Sequence, residues 1–142
     1  MNPTELLQRQ HEETLAVFDE LELTEDELER VRLLVQAADK LKTHAALEQD
    51  VFYPAVQGRA AERVEDALAA HRALDVLLDE TVGTPTAANI KLLRHMIEEH
   101  FQEEQQRLFP LAEALDDDAA AALAERLQTH AREVDEEAGA NS

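Results

Sequence analysis

One pattern of residues occurs twice in this chain, as HAALEQDVFYP at residues 44–54 and as HFQEEQQRLFP at residues 100–110. Each copy has a histidine, a glutamate four residues later, an apolar residue four residues after that, and then an aromatic residue and proline. Residues four apart lie on the same face of an α-helix, with Cβ atoms about 5–6 Å apart. Each copy therefore predicts a helix that presents an imidazole beside a carboxylate and is bent or ended by its proline.

A lone histidine precedes each copy, His11 by 33 residues and His71 by 29. We therefore expect two helical hairpins, each of which brings one lone histidine and one His/Glu pair to a common core. Pseudo-twofold packing of the hairpins would give each of two metal ions two histidines, with both glutamates as bridges.

The composition favours an all-α protein. Ala, Glu, Lys, Leu and Arg make up more than half of the 142 residues, whereas glycine occurs 3 times and proline 4 times. β-Sandwiches, barrels and glycine-rich nucleotide folds need many more turns. Capping signals and apolar periodicity predict four long helices at about 3–22, 25–57, 60–82 and 86–109, and an additional C-terminal helix at about 118–138.

The charge excludes several classes of partner. The formal net charge is −19, which repels nucleic-acid phosphates and anionic lipids. No apolar stretch approaches the roughly 18 residues of a membrane-spanning helix. Cysteine is absent, so the chain needs no oxidising compartment and has no thiolate ligands. We expect a cytoplasmic protein that binds neither nucleic acid nor membrane.

The apolar face of each predicted bundle helix contains a histidine: His11, His44, His71 and His100. A single histidine in such a position is usually a satisfied core residue, and a single glutamate often reaches water. Here Glu48 and Glu104 join the four histidines in one core. Buried carboxylates and imidazoles without partners cost several kcal/mol. A bound metal ion removes this cost because it accepts their lone pairs.

The paired H-x-x-x-E motifs, their aromatic–proline endings and the upstream histidine in LLQRQHEE (residues 6–13) resemble the haemerythrin-like (HHE cation-binding) family, over about residues 4–115. The resemblance implies a single domain over 1–142, in which an up-and-down four-helix bundle (core about 3–110) holds an oxo- or hydroxo-bridged centre of two Fe ions. The ligands that it implies are His11, His44, Glu48, His71, His100 and Glu104. Imidazole and carboxylate ligands also suit iron independently of the resemblance.

Ferritin-like bundles are the other class of di-iron protein, and this sequence does not fit them. Their sites use Glu-x-x-His, and none of the six histidines here has a glutamate three residues before it. His95 and His130 lie outside the repeated pattern, and we expect them to be surface or packing residues.

The oxygen-carrying haemerythrins differ from this chain at two positions. Their third helix has His-x-x-x-His, where this chain has Asp75 at the second position, and their fourth has His-x-x-x-x-Asp, where Glu104 comes one residue earlier. Four histidines, two bridging carboxylates and a shared oxygen leave two positions open on two octahedral irons, rather than one. The apolar periodicity places Asp75 on the inward face of its helix, one turn from His71. Asp75 and Tyr53, which is beside the helix-breaking Pro54, are alternative additional ligands or hydrogen-bonding neighbours of the ligands.

Three classes of function are compatible with these features. Open metal positions favour reaction with H₂O₂ or O₂, and peroxide disproportionation (a catalase-like activity) in particular. The alternative is a module that binds or senses O₂, NO or iron without turnover. A metal-free acidic adaptor is the third class, and the need of buried carboxylates for a partner counts against it.

Overall fold

The computed structural model describes residues 2–140, with side chains to residue 137. The elements in chain order are α1 (Glu5–Leu23), α2 (Glu27–Leu47), α3 (Tyr53–Val56), α4 (Ala61–Gly83), α5 (Ala87–Arg107), α6 (Phe109–Glu113) and α7 (Asp117–Ala140). No strand occurs in this range, and none of its helices combines the length and the hydropathy needed to cross a bilayer. The expected all-α fold with an additional C-terminal helix is confirmed.

Helices begin close to the expected positions. At the start of α5, the Thr86 hydroxyl accepts the backbone N–H of Asn89 at 3.1 Å, which satisfies one of the free donors of the first turn. At the start of α1 the N-cap is Thr4, whose side chain accepts no backbone N–H of the first turn. The Asn2 side chain instead accepts the backbone N–H of Thr4 at 2.9 Å.

The helix expected over 25–57 contains a π-helical turn at Glu48–Phe52. In this turn the backbone N–H of Tyr53 donates to the carbonyl of Glu48, five residues earlier. Pro54 has no N–H to donate back to the preceding turn, which removes a hydrogen bond that a regular helix would have. The wider turn therefore changes the direction in which Tyr53 points relative to a straight helix.

Helices α1, α2, α4 and α5 form the up-and-down bundle, in which α1 lies against α2 and α5, and α4 against α2 and α5. Apolar side chains fill both ends of it. The cluster at the end where α1 begins includes Leu7, Phe52 and Phe109, and the cluster at the other end includes Phe18 and Ile97. The predicted site residues lie between these clusters.

Helix α7 covers the end of the bundle at which α1 begins. It packs against α1, α2 and the π-helical turn, and it buries Leu123 and Leu127 in the cluster there. Nε2 of His130 also forms a hydrogen bond with Oδ2 of Asp50, in the π-helical turn, at 2.8 Å. This contact fastens α7 to the turn.

Replacement of His130 by glutamine is expected to destabilise the protein mainly at acidic pH. The hydrogen bond to Asp50, followed by the one to Glu133, raises the pKa of His130 above its ordinary value of 6.5. A pKa raised by folding stabilises the fold fully below the unfolded value, and this contribution is lost as the pH rises through the raised value. The free energy of unfolding, measured by urea denaturation, should fall by about 0.2–1 kcal/mol at pH 5.5 and by clearly less at pH 9.

Arg132→Gln is the matched control for this prediction. It removes a cation of the same helix that stays charged over the whole pH range, so its effect should be the same at both pH values. A His130→Gln effect that does not change with pH would contradict the assignment.

Candidate metal centre

The six side chains predicted as metal ligands lie together halfway along the bundle. They come from α1 (His11), α2 (His44), the π-helical turn (Glu48), α4 (His71) and α5 (His100 and Glu104). All six are buried, and even the most accessible of them, His100, is only 7% exposed. Four helices and one turn therefore direct polar side chains into an otherwise apolar core.

The potential donor atoms form two groups. The first group consists of His11, His44, Glu48 and Glu104, and the second group consists of Glu48, His71, His100 and Glu104. Within each group these atoms lie within 4.8 Å of one another. The Nε2 atoms of the two histidines are 3.1 Å apart in the first group and 3.0 Å apart in the second. The two carboxylates belong to both groups.

The electrostatics of the centre favour positive charge on two of its histidines, His44 and His100. Burial by itself lowers the pKa of His44, but the carboxylates of Glu48 and Glu104 outweigh burial and raise this pKa to about 10. Burial likewise opposes charge on His100, and the same carboxylates raise its pKa above the ordinary value. Burial by itself raises the pKa of Glu48, yet its imidazole neighbours and hydrogen bonds hold it well below the usual range. The carboxylate of Glu48 thus stays ionised and attracts cations.

The donor atoms fit a metal ion better than they fit one another. Two imidazole nitrogens about 3 Å apart can share only one proton, and this occurs in both groups. Oε2 of Glu48 is buried and has no hydrogen-bond partner among the described residues, which is costly for a carboxylate. A metal ion accepts lone pairs from all of these atoms, and imidazole with carboxylate suits iron. The buried His/Glu groups therefore fit metal binding.

Of the two additional candidates, Tyr53 reaches the centre. Its hydroxyl donates to Oε2 of Glu104 at 2.8 Å and lies 3.1 Å from Nε2 of His71. Burial, and then the carboxylates of Glu48 and Glu104, raise the pKa of Tyr53, so the hydroxyl keeps its proton. On a straight helix Tyr53 would face away from His44, and the π-helical turn brings it inward.

The repeated pattern is asymmetric at this position, because the second copy has Phe109 where the first has Tyr53. The ring of Phe109 stacks beside His11 with centroids 5.4 Å apart. The ring of Phe101 also stacks on His11, with centroids 3.7 Å apart and ring planes only 8° apart. His11 of the first group therefore contacts apolar rings, whereas His71 of the second group contacts a hydroxyl.

Asp75, His95 and His130 lie outside the centre. Asp75 is exposed on α4 and borders a cavity of about 30 Å³ that three of the centre's histidines also line. The expectation that Asp75 points inward is wrong, because the buried face of α4 passes through His71 and Leu74 and leaves Asp75 on its edge. The side chain of His95 is 68% exposed, and His130 lies on α7.

Sequence reasoning missed three glutamines that contact the outer nitrogens of the imidazoles. The contacts, each to Nδ1, are Gln10 to His44 at 2.8 Å, Gln49 to His71 at 3.0 Å and Gln105 to His11 at 3.1 Å. One signal for them was present, since Gln49 and Gln105 each directly follow the glutamate of the repeated pattern. Such contacts orient imidazoles that bind a metal through the other nitrogen.

Comparison with protein-family models gives a match to the Hemerythrin HHE cation binding domain over residues 2–112. Neither curated proteins nor solved structures give a match. The matched range contains all six side chains of the two groups, together with Tyr53.

Proposed function

Since this chain belongs to the haemerythrin HHE cation-binding domain family, we propose that its centre holds two iron ions and reacts with hydrogen peroxide. His11 and His44 would hold one ion and His71 and His100 the other, while Glu48 and Glu104 would be shared between them. Support for two ions comes from the two groups of donor atoms that have both carboxylates in common.

The reaction that we favour is disproportionation, 2 H₂O₂ → 2 H₂O + O₂. One peroxide gains two electrons and two protons and becomes two waters, while a second peroxide loses two electrons and two protons and becomes O₂. Two bound irons supply the two-electron exchange. The residues of the chain have to supply and accept the protons within a buried centre.

The observation that carries this proposal is the Tyr53 hydroxyl, which brings a proton into the centre. Oη donates to Oε2 of Glu104 at 2.8 Å and lies 3.1 Å from Nε2 of His71. A group in that position is able to give its proton to a small molecule beside it and to recover one through Glu104. We therefore assign Tyr53 the role of proton donor. The alternative role is that of an additional ligand in the second group.

The space beside the centre favours a small reactant. The cavity of about 30 Å³ is lined by imidazoles of both groups and by apolar residues, including Leu41, Leu74 and Phe101. A cavity needs at least about 10–15 Å³ to hold one water molecule, so this one has room for a very small molecule. H₂O₂, O₂ or NO suits such a space. Asp75 lies at the exposed edge of this cavity and adds no third carboxylate to the donor atoms of the two groups.

Oxygen release from H₂O₂ tests the proposed function. Iron-loaded protein should release one O₂ for every two H₂O₂ consumed, followed with an oxygen electrode in the presence of a chelator for free iron. A stable coloured adduct with O₂ or NO, with no O₂ released from peroxide, would instead support the module that binds or senses without turnover.

Tyr53→Phe is expected to keep both irons and to lower the rate of O₂ release by about 100-fold, the smaller end of general acid–base contributions. The substitution removes only the hydroxyl, because a buried phenylalanine ring fills the same space. Iron content by atomic absorption and rate by oxygen electrode are the measurements. A wild-type rate would contradict the proton-donor role, and loss of a visible charge-transfer band with Tyr53→Phe would make Tyr53 a ligand.

A further inference from the structure

The four imidazoles of the centre are not equally supported. Nδ1 of His11, His44 and His71 each contacts a glutamine, at 3.1, 2.8 and 3.0 Å. No residue that the structure describes forms a hydrogen bond with Nδ1 of His100, the most accessible imidazole of the four at 7% exposed. One imidazole of the second group therefore has no glutamine, or other described residue, that fixes its outer nitrogen.

The repeat of the sequence explains the missing contact. Gln49 and Gln105 occupy equivalent positions in the two copies of the pattern, and each supports the lone histidine of one hairpin. Gln10 directly precedes the lone histidine of the first hairpin and supports His44. The residue that directly precedes the lone histidine of the second hairpin is Ala70, which has no group to offer to His100.

The same alanine borders a groove that leads to the unsupported imidazole. The groove lies between α4 and α5, has a volume of about 560 Å³, and is lined by Ala67, Ala70 and Ala73 on the α4 side. His100 and Glu104 are also among its lining residues. Small side chains on α4 thus leave open space beside the histidine that lacks a glutamine.

We propose that Gln10, Gln49 and Gln105 are positioning residues for metal-binding imidazoles, and that His100 is the ligand most easily displaced. The inference rests on the proposed two-ion centre and makes its two ions unequal. The ion of the second group binds more weakly than the ion of the first group, and it leaves first, beside the α4–α5 groove.

An imidazole that binds a metal through Nε2 carries its proton on Nδ1 and donates this proton to an amide oxygen. Rotation of the amides of Gln49 and Gln105 by 180° presents that oxygen at the observed contacts.

The magnitude follows from known effects of such contacts. Loss of the hydrogen-bonding partner of a metal ligand typically costs 10- to 100-fold in metal affinity. Ferrous protein with two ions per chain, mixed anaerobically with excess ferrozine, should therefore release iron in two phases of equal amplitude whose rates differ by at least about tenfold.

Variants at Ala70 and Gln10 distinguish the positioning of an imidazole by a glutamine from the access of the chelator to the centre. Ala70→Gln restores the missing glutamine and should slow the fast phase at least about fivefold, toward the slow one. Ala70→Leu is the matched control, because it fills similar space without an amide and should leave the fast phase unchanged. Gln10→Ala should accelerate the slow phase, since it gives the first group the same defect.

Each outcome decides the inference. Release of both ions in one phase from the wild-type protein, or equal slowing by Ala70→Gln and Ala70→Leu, would overturn it while leaving the two-ion centre intact. If the wild-type protein binds no iron before ferrozine is added, the proposed function itself fails.

Discussion

Exchange of Glu48 for glutamine is expected to lower the iron content from two ions per chain to one or none. Oε1 of Glu48 lies 3.0 Å from Nε2 of His71 and 3.2 Å from Nε2 of His44, so it contacts both groups. An amide of the same shape has no negative charge and a single acceptor oxygen. Loss of a hydrogen-bonding neighbour of a metal ligand typically lowers metal affinity by 10- to 100-fold. Because Glu48 is itself a proposed ligand, we expect its loss to lower iron affinity by more than about 100-fold.

The same variant should lose the stabilisation that iron gives to the wild-type protein. Binding at a free iron concentration 100 times the Kd stabilises the folded state by about 2.7 kcal/mol per ion. For a chain of this size each kcal/mol raises Tm by about 3 °C, so each ion should add roughly 8 °C. Calorimetry with and without iron should show this shift for the wild-type protein and little of it for Glu48→Gln.

Glu103→Gln is the matched control for Glu48→Gln. Its carboxylate is next in the chain to Glu104 but is 60% exposed and paired with Arg107 on the surface. The same loss of one charge should therefore leave iron content and the iron-dependent Tm unchanged. Two tightly bound irons in Glu48→Gln would show that this carboxylate is not shared between ions.

Replacement of His44 by alanine is expected to abolish the release of O₂ from H₂O₂. The Nε2 of His44 lies 3.1 Å from that of His11 and 3.2 Å from Oε1 of Glu48, so the substitution removes half of the imidazoles of the first group. With one ion missing, the two-electron exchange on which disproportionation depends is lost. We expect the rate to fall by at least about 1,000-fold, similar to removal of an essential group in other active sites.

His95→Ala is the control for this loss of activity. His95 is on α5, five residues before His100, and its exposed imidazole pairs with Glu99 rather than with the centre. It should release O₂ at the wild-type rate. Unchanged O₂ release by His44→Ala in the presence of a chelator would mean that the reaction occurs elsewhere.

The meeting of the six polar side chains was predictable because it depends on regular helical spacing. His44 and Glu48, like His100 and Glu104, are four residues apart, and a helix keeps such residues on one face whatever surrounds it. Spacing also placed the lone histidines on the apolar faces of their helices. Up-and-down packing of those faces brings the histidines to one level of the bundle.

The additional candidates were harder to place because they depend on departures from an ideal helix. Tyr53 enters the centre because of the π-helical turn, which contains one more residue than a regular helical turn. A prediction that rotates every residue by the same 100° cannot include that extra residue. Asp75 is only one step around the helix from the buried face, so a small difference in the orientation of α4 leaves it exposed. The glutamine contacts depend on flexible side chains, and periodicity carries no signal for their direction.

The C-terminal helix lies beyond the family match, which ends at residue 112. Its contacts nevertheless reach the site, because α7 packs on the π-helical turn that carries Glu48 and precedes Tyr53. The hydrogen bond between His130 and Asp50 fastens the same turn from outside. Helix α7 thus stabilises the irregular turn on which the position of Tyr53 depends.

Anomalous diffraction at the iron absorption edge, from crystals of iron-loaded protein, tests the two-ion centre most directly. We predict two anomalous peaks per chain, one among His11, His44 and the two glutamates, and one among His71, His100 and the same glutamates. A centre without an anomalous peak, in crystals whose protein contains iron, would contradict it.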